Sequence, residues 1–513
     1  MGIPFYFSYI IRNHSSILHK LTNSSNITNI FIDANSIIYE GAAIHDTHDD
    51  IITFVISKLD GLMASIHPSG LTYIAFDGPA PVAKLDQQRS RRFKKRYDIQ
   101  ETERSFNTIE ITPGTPFSQL LDHRVRTYYS KMSNVIFSGF GEVGEGEHKI
   151  MDYMRHNETK LMNEKNAIYG LDADLIMLAL NISNIITDIY LLRETPHFIS
   201  YVDNTLEPNS LYLLNISELG LQLQRDTNCS AKDYIFVCFL LGNDFLPHFP
   251  AINIRTGGII KIMDTLKQVR EIINPITHQI DWAKFKQYIS YLAVNEKQYI
   301  KNELTLRDET QKNYYPSKTT EELKHKLNMI PTYERELEKQ IDPDRPHWEK
   351  RYYSLLFNIK PTQVTTKFIK KVCMEYLYGL EWTYKYYSEQ CPDWRWMYPY
   401  YYPPLLVDLV KYIPNDPDYV FISETKSLTS VPIDELVQLC YVMPIEYFDQ
   451  LPSFASKLLL SKHKNWYISP DEEPDFLWAF CKYFWESHVI LPDIPVNKLE
   501  KILYDEKIKL LKK

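Results

Sequence analysis

The chain has 513 residues, and its 65 acidic residues outnumber its 57 lysines and arginines, which gives a formal net charge of −8. A single hydrophobic core rarely grows past about 250–300 residues, so this length predicts two or three packed units. The acidic balance excludes a surface coated in positive charge for indiscriminate binding of nucleic acid, and any site for a polyanion has to be local.

The six cysteines form no CxxC pair and show no zinc spacing, which favours reduced, buried thiols in an intracellular protein. Apolar runs such as IYGLDADLIMLALNI are interrupted by acids and fall short of the roughly 18–20 residues that a membrane span needs. The N-terminus lacks a basic segment followed by an apolar one, and Tyr6 stands where the myristoylation motif requires Ser or Thr. We expect a soluble, unlipidated protein.

Up to about residue 260, short apolar runs that predict strands alternate with amphipathic stretches that predict helices. Such alternation predicts an α/β fold with a parallel sheet, whose ligands bind beyond the carboxyl ends of the strands. Residues 261–365 predict a helical spacer or appendage, and residues 366–513 predict a second, aromatic-rich helical region. The predicted strands are ITNIFIDA, LTYIAFD, NVIFSGF, NAIYGLD and DIYLLRE, and the helices are LDQQRSRRFKKRYD, TPFSQLLDHRVRTYYSKM and GEHKIMDYMRHNETKLM.

Seven acidic residues end or interrupt these apolar runs, where a strand leads into the edge of the sheet. A phosphodiester is cleaved fastest when two divalent ions about 3.5–4 Å apart activate the attacking water and stabilise the leaving oxygen. Mg²⁺ prefers oxygen ligands, so clustered carboxylates without cysteine are its expected site. The pattern therefore predicts a divalent-metal phosphodiesterase. The seven acids are Asp33, Asp77, Glu145, Glu147, Asp172, Asp174 and Asp244.

The spacing of these acids supports a shared site. Side chains of an extended segment repeat every two residues, so we expect Asp172 and Asp174 to point the same way. Glu145 and Glu147 have the same spacing just before a predicted helix, whose N–H groups favour anions. Any one of these acids alone is better interpreted as a cap or a solubilising group, but seven after apolar runs favour a site. His148 either orients a carboxylate or caps the helix.

A basic segment, KLDQQRSRRFKKR, follows the second acid. On a helix, Lys84, Gln88, Arg91 and Arg92 fall at i, i+4, i+7 and i+8 and form one stripe. Arginine supplies planar, bidentate donors that suit phosphate, and lysine supplies a point charge. A solvated basic helix is the alternative. Six basic residues within 89–96 of an acidic protein favour phosphate binding.

The stretch 382–402 is unusually aromatic and contains Trp382, Trp394, Trp396 and several tyrosines. Stacking of bases on aromatic faces tolerates any sequence and is worth about 1–3 kcal/mol per base. Most of these side chains are expected in the core, with one or two exposed for stacking.

Taken in order, nine motifs of the chain resemble the XRN family of eukaryotic 5′-to-3′ exoribonucleases. The resemblance is dense over residues 1–260 and looser over 366–450. It implies a catalytic core similar to PIN and flap nucleases, with the second region completing the active-site pocket. The motifs are MGIPFYFSYI, IDANSIIYE, AFDGPAPVAKLDQQRSRRF, ITPGTPF, VIFSGFGEVGEGEHKIMDYMR, IYGLDADLIML, LLRE, CFLLGNDFLPHFP and GLEWTYKYYSEQCPDWRWMYPYYYPP.

The resemblance implies an activity and the roles of the residues. It implies a hydrolase with two Mg²⁺ or Mn²⁺ ions that removes nucleoside 5′-monophosphates processively from RNA with a 5′-monophosphate. The seven acids would bind metal, and Lys84, Gln88, Arg91 and Arg92 would form the 5′-phosphate pocket. A pocket sized for one phosphate would exclude capped and triphosphorylated ends.

Some positions depart from the family pattern. Tyr39 stands where the family usually has a base-stacking histidine; it can still stack but carries no charge. Either Trp394 or Trp396 would supply the opposing stacking face. Tyr401 stands where the family commonly has histidine. The short tail predicts a compact member without the long C-terminal extension.

Two other functions remain open. A flap-type structure-specific DNA endonuclease would share the acids and the MGI start, but the QQRSRRF and WRWMYPYYYPP segments resemble only the exoribonucleases. An inactive RNA-binding scaffold would have no reason to keep clustered, mutually repelling carboxylates. The composition suits an AT-rich genome, including that of a large DNA virus. Cytoplasm is the expected compartment, and protein partners are open.

Overall fold

A computed structural model of the chain describes residues 3, 5–97, 106–195, 199 and 204–511. Asp98 of the predicted basic helix, and Met1, Gly2 and Pro4 of the MGIPFYFSYI motif, lie outside these residues. Seven strands form one sheet in the order β1-β7-β6-β5-β2-β3-β4. They are β1 (Leu18–Lys20), β2 (Asn29–Asp33), β3 (Thr72–Ala75), β4 (Val135–Ser138), β5 (Asn166–Tyr169), β6 (Ile189–Glu194) and β7 (Leu211–Asn215).

The α/β fold with a mostly parallel sheet is confirmed. All five predicted strands form, and they pair in parallel as β6-β5-β2-β3-β4. The sheet is not wholly parallel, however, because β7 pairs antiparallel with β6 and β1 pairs antiparallel with β7. Antiparallel edge strands on a parallel sheet are common, and the three residues of β1 are too few to show a pattern.

The central strands are apolar throughout because both faces of the sheet are covered. In β2, Phe31 packs into one hydrophobic core, while Ile30 and Ile32 pack into the core on the other face. The first core also contains Tyr376 and Trp382 from the aromatic-rich region. The sheet and the second region are therefore parts of one packed structure. The domain boundaries at 260 and 365 stay a prediction.

The helices begin at the residues that their caps favour. The side chains of Thr47, Thr115 and Thr365 accept a backbone N–H in the first turn of the helices that follow them. The three predicted helices of the N-terminal part are confirmed. In chain order up to residue 240 the helices are α1 (Tyr6–His14), α2 (Asn35–Ile44), α3 (His48–Ile66), α4 (Val82–Lys94), α5 (Pro116–Tyr129), α6 (Gly146–His156), α7 (Glu158–Leu161), α8 (Asp174–Ile182), α9 (Ile216–Thr227) and α10 (Ala231–Cys238).

The rest of the described chain is mainly helical, as predicted, apart from a two-stranded sheet of β8 (Phe476–Leu477) and β9 (His488–Val489). A buried ion cluster ties the middle region together, since Glu338 pairs with both Arg307 and Arg335. The helices are α11 (Gly258–Val269), α12 (Trp282–Val294), α13 (Glu296–Gln311), α14 (Thr320–Asn328), α15 (Ile330–Tyr333), α16 (Glu336–Ile341), α17 (Trp348–Leu356), α18 (Thr366–Ser388), α19 (Leu406–Tyr412), α20 (Glu424–Thr429), α21 (Glu435–Val442), α22 (Ser453–Lys462) and α23 (Val496–Leu511).

Two predictions from composition can be compared with this fold. All six cysteines are buried and form no disulfide, as their spacing indicated. Among the described residues, no helix combines the length and the apolar character that crossing a bilayer requires.

Candidate active site

The site begins where the central strands end. Asp33 is the last residue of β2, and its strand neighbour in β3 is Ala75, two residues before Asp77. The Asn35 side chain holds Asp77 at two points, because its Nδ2 donates to the Asp77 carboxylate and its Oδ1 accepts the Asp77 backbone N–H at 3.0 Å. The carboxylates of two adjacent parallel strands are thereby directed to the same edge of the sheet.

The start of α6 adds two more acids to this edge. Glu145 occupies the N-cap position, and Glu147 lies inside the first turn rather than before the helix. Carboxylate oxygens of Asp33, Asp77 and Glu147 lie within 4.8 Å of one another. Only glycine fits between them, because a Cβ atom at Gly146 would lie 2.6 Å from Asp33 Oδ1.

Asp172 and Asp174 reach the same place by a different route from the predicted one. The segment is not extended, since Ala173 has helical backbone angles and Asp174 is the first residue of α8. The periodicity argument for this pair was therefore wrong. Their carboxylates nevertheless interact with the other acids, since burial is the largest cause that raises the pKa of Asp33 and of Asp174 and Asp172 adds to it in both.

Asp244 completes the group from the loop after residues 239–241. Its carboxylate accepts hydrogen bonds from Lys84 Nζ at 2.6 Å and from the Gln87 amide. Lys84 Nζ also lies 2.6 Å from Glu145 Oε2. All seven predicted acids therefore lie in one cluster, connected by direct contacts or by electrostatic interaction, and we refer to them as the acid cluster.

Burial and mutual repulsion shape the electrostatics of the acid cluster. Burial, followed by Asp77 and Asp172, raises the pKa of Asp33 well above its usual value. Burial, followed by Asp244, raises the pKa of Asp174 to about 7. Burial is the largest influence on the pKa of Asp244 and tends to raise it, but the nearby positive charges, Lys84 first among them, together outweigh burial and the net shift is downward.

These carboxylates fit divalent metal ions. Asp33 Oδ1 is buried and accepts no hydrogen bond from the described residues. Glu145, Glu147 and His148 form a second group whose ligand atoms lie within 4.8 Å of one another. Hard cations such as Mg²⁺ and Mn²⁺ prefer such oxygen-rich sites.

The predicted basic stripe lies on α4, with Lys84 at its start among the acids. Arg92 is anchored, since its Nε donates to Thr112 Oγ1 at 2.8 Å. Gln88 Oε1 and the Nε and Nη2 atoms of Arg91 are buried and have no hydrogen-bond partner among the described residues. Arg91 Nη2 lies 3.6 Å from Asp244. Hydrogen-bonding capacity of the stripe therefore remains for a ligand.

Other basic residues of the same helix attach it to the C-terminal region. Arg89 donates to the carbonyl oxygens of Trp466 and Pro492, and Arg96 pairs with Glu446. The run of basic residues thus contains side chains that attach α4 to the C-terminal region and side chains with unpaired polar atoms. The sequence alone did not tell these two groups apart, and the contacts in the structure do.

The candidate stacking residues differ in exposure. Tyr39, on α2, is 46% exposed. Trp394 and Trp396 are both partly buried. The Trp394 carbonyl accepts the Val82 N–H at 3.0 Å, which places Trp394 beside the start of α4. The Trp396 ring packs on Trp382, with 5.4 Å between ring centroids. Both tryptophans remain candidates.

Sequence reasoning missed two tyrosines that support the acids. The Tyr386 hydroxyl donates to Glu145 Oε1 at 3.0 Å, and its ring stacks on His148 at 3.7 Å between centroids. Burial, followed by the nearby carboxylate of Asp174, raises the pKa of the next residue, Tyr387, well above its usual value. His148 therefore does not cap α6, whose N-cap residue is Glu145; its ring is held by stacking on Tyr386. The KYYSEQ segment was visible as aromatic, but its position on the long α18 gave no sign of which face meets the acids.

Two solved structures show a distant likeness. The catalytic core of Rad2 in complex with DNA substrate is 15% identical, with a TM-score of 0.33 over 67% of this chain and 84% of that chain. The T5 D15 protein co-crystallized with metal ions is 12% identical, with a TM-score of 0.29 over 54% of this chain and 88% of that chain. Because these TM-scores are low, the fold class rests on the strand order of the sheet and not on this likeness.

Curated relatives are similar over most of the chain. The 5′-3′ exoribonuclease 1 of Saccharomyces cerevisiae is 26% identical over 86% of this chain and 39% of its own length. The 5′-3′ exoribonuclease 2 homolog of Drosophila melanogaster is 24% identical over 99% of this chain and 71% of its own length. The 5′-3′ exoribonuclease 1 of Homo sapiens is 25% identical over 97% of this chain and 34% of its own length. The chain thus spans well under half the length of two of these relatives.

Family matches extend from the acid-bearing strands to the aromatic-rich region. Residues 1–195 match the family described as XRN 5′-3′ exonuclease N-terminus. Residues 224–336 and 290–503 match the family described as Xrn1 helical domain. Together these matches cover most of the sequence, and the chain belongs to the XRN 5′-3′ exonuclease family.

Proposed function

We propose that the chain is a 5′-to-3′ exoribonuclease that hydrolyses single-stranded RNA with a 5′-monophosphate, processively, into nucleoside 5′-monophosphates. The observation that carries the proposal is the contact between the acid cluster and the basic stripe. Lys84 joins the two, because its Nζ atom lies 2.6 Å from both Glu145 and Asp244. The names of the relatives support the same activity.

The acid cluster would hold two divalent ions, Mg²⁺ or Mn²⁺. When bound, such ions activate the attacking water and stabilise the leaving oxygen. The chain's own contribution is to fix the ligands, and Gly146 and Asn35 do this for Asp77 through hydrogen bonds. Tyr386 does the same for Glu145.

The basic stripe would bind the terminal phosphate. Arg91 offers buried N–H groups, and Arg92 is held in place by Thr112. An anion near Arg91 would gain charge-assisted hydrogen bonds, which are about twice as strong as neutral ones. Because the helix that carries these residues begins at the acid cluster, the first phosphodiester would lie near the metal ligands. The 5′ base would stack on Tyr39 and on Trp394 or Trp396.

One assay tests the proposal. RNA and DNA strands of identical sequence, with monophosphate, triphosphate or hydroxyl 5′ ends, are incubated with the protein in Mg²⁺ or in chelator. We expect mononucleotides from 5′-monophosphate RNA in Mg²⁺ only. The double variant Asp172→Ala, Asp174→Ala is the matched control and should reduce release to background while remaining folded. Undiminished turnover by that variant would contradict the proposal.

Product lengths in the same assay separate the alternatives. A flap-type DNA endonuclease would release longer fragments from branched DNA, and an inactive RNA-binding scaffold would release nothing.

The cytoplasmic location stays a prediction, which fractionation of expressing cells would check.

A further inference from the structure

A cavity of about 560 Å³ lies beside α4, and we name it the α4 cavity. Its wall is formed by one face of α4, by residues within 241–255, 397–402 and 479–493, and by Tyr441. The residues predicted to stack the 5′ base do not line it. Small-molecule pockets in proteins are typically about 300–1,000 Å³, so the α4 cavity has the size of a ligand site.

The wall carries polar atoms that the protein itself leaves unpaired. Gln87 Oε1, Arg91 Nε, Asn243 Nδ2, His248 Nε2 and Arg255 Nε are buried and have no hydrogen-bond partner among the described residues. Buried polar atoms without partners are unfavourable, and most native structures satisfy them with protein, ordered water or ligand. Five such atoms around one cavity indicate a site for a polar molecule.

Two cations on one face of α4 bring positive charge to a wall that also carries the carboxylates of Asp86, Asp244, Glu486 and Asp493. Three of these acids already have partners inside the protein, since Asp86 accepts from Tyr441, Asp244 accepts from Lys84, and Glu486 pairs with Arg255. Arg91 and Lys94 are three residues apart, which places them on the same helix face. Lys94 Nζ donates to the carbonyl oxygens of Trp485 at 2.8 Å and Ser487 at 2.6 Å. No carboxylate among the described residues forms an ion pair with Lys94, and burial lowers its pKa to about 8. An anion would stabilise both charges.

The same cavity has aromatic walls. Tyr398, Tyr401 and Trp485 line it, and Tyr401 is itself stacked on His488 with 5.1 Å between ring centroids. Trp485 is the most exposed of the three, at 39%, and packs on Tyr483. Aromatic faces bind planar bases with little regard to their identity. The cations and the aromatics together fit an anion that carries a planar ring.

We propose that the α4 cavity binds a nucleoside 5′-monophosphate, with its phosphate at Arg91 and Lys94 and its base against Trp485. Asp244 belongs to both the acid cluster and the cavity wall. A nucleoside 5′-monophosphate is the product of the reaction proposed above, and the cavity holds that product as it leaves the acids. This role rests on the proposed function, whereas binding itself does not.

Binding is measured by calorimetric titration of AMP into the full chain in chelator, where hydrolysis is not required. AMP should bind with one molecule per chain, and adenosine should bind at least tenfold more weakly. Lys94→Gln should weaken AMP at least tenfold. Lys95→Gln is the matched control, since this neighbouring lysine does not line the cavity, and its affinity should stay within twofold of the unmodified chain.

Two further variants locate the ligand. Trp485→Leu should weaken the binding of AMP but leave the affinity for inorganic phosphate unchanged. Because Trp485 is partly exposed, this substitution leaves the hydrophobic core intact. Arg92→Gln tests whether AMP instead occupies the predicted RNA-end site. If Arg92→Gln weakens AMP and Lys94→Gln does not, the α4 cavity proposal is overturned.

Failure of the two proposals is distinguishable. If the RNA assay fails while AMP binding depends on Lys94, the cavity site stands and only its role in holding product falls. If the RNA assay succeeds while AMP does not bind, or binds equally to Lys94→Gln, the cavity proposal falls alone. Thermal unfolding of each variant confirms that the compared proteins are folded.

Discussion

At the scale of single residues, the acid cluster places several carboxylates together in a buried position, which is unfavourable for their charged forms. Asp33, Glu147 and Asp174 are buried beside other carboxylates, and burial is the largest cause that raises the pKa of each. Lys84 offsets part of this repulsion through Glu145 and Asp244. The arrangement is therefore expected to be least stable when the acids are ionised and no cation is bound.

The variant Asp174→Asn tests, at one residue, whether an ionised acid of the cluster lowers the stability of the fold. The folded-state pKa of Asp174, about 7, exceeds the usual value for aspartate. The folded state thus binds more protons than the unfolded state between about pH 4 and pH 7, and stability falls as pH rises through that window. In chelator, Asp174→Asn should be more stable than the unmodified chain at pH 8, by on the order of 1–3 kcal/mol. Its advantage should shrink toward pH 4. Denaturant unfolding at several pH values measures this, and a difference independent of pH would contradict it.

Tyr386→Phe removes only the hydroxyl that donates to Glu145. Groups that orient metal ligands typically contribute about 10–100-fold to metal affinity or activity. We therefore expect Mn²⁺ affinity, measured by calorimetry, to fall about tenfold or more. Tyr384→Phe is the control on the same helix, because its hydroxyl donates to the His278 carbonyl instead. Equal Mn²⁺ affinity of both variants would exclude a positioning role for Tyr386.

At the scale of elements, α4 combines residues that attach it to the C-terminal region with residues whose buried polar atoms are unpaired among the described residues. Arg89 and Arg96 attach it to the C-terminal region, whereas Arg91 retains unpaired N–H groups. The period of the helix correctly predicted one stripe, because residues at i and i+4 share a face. It did not indicate which basic residues bind other parts of the protein, since the partners of Arg89 and Arg96 lie 350 or more residues away in the sequence.

Arg91→Ala is expected to act on end selection. Removing the guanidinium should reduce the preference for 5′-monophosphate over 5′-hydroxyl RNA by roughly tenfold or more, since hydrogen bonds to charged groups contribute about 1.5–3 kcal/mol. Initial rates on the two substrates measure the ratio. Arg96→Ala, which breaks the pair with Glu446, serves as the control and should leave the ratio unchanged. An unaltered ratio in Arg91→Ala would remove that residue from the phosphate site.

At the scale of the whole molecule, the second region is part of the site. Leu175 of α8 and Trp382 of α18 belong to the same hydrophobic core. Tyr386 and Tyr387 extend from that core to the acids. The N-terminal α/β part therefore depends on residues more than 200 positions later for its packing and for contacts that hold the acid cluster.

A fragment of residues 1–260 tests this dependence. Without α18, the apolar residues that it covers would be exposed to water at a cost of about 25 cal/mol per Å². We expect the fragment to lose cooperative thermal unfolding and near-ultraviolet circular dichroism, both of which the full chain should show. A cooperatively folding fragment that binds Mn²⁺ as tightly as the full chain would contradict the prediction.

The sequence by itself determined the central strands, the helix of the basic stripe and the seven acids, because period and strand-end position are local properties. The seven acids that it singled out lie together, although part of the argument was wrong, since the start of α8, not an extended strand, positions Asp174. Their role as metal ligands stays a prediction. Only the tertiary structure decided that Lys84 bridges two carboxylates, that Tyr386 and Tyr387 support them, and that the α4 cavity exists. These features join residues far apart in the chain, and the packing of the whole core sets their distances.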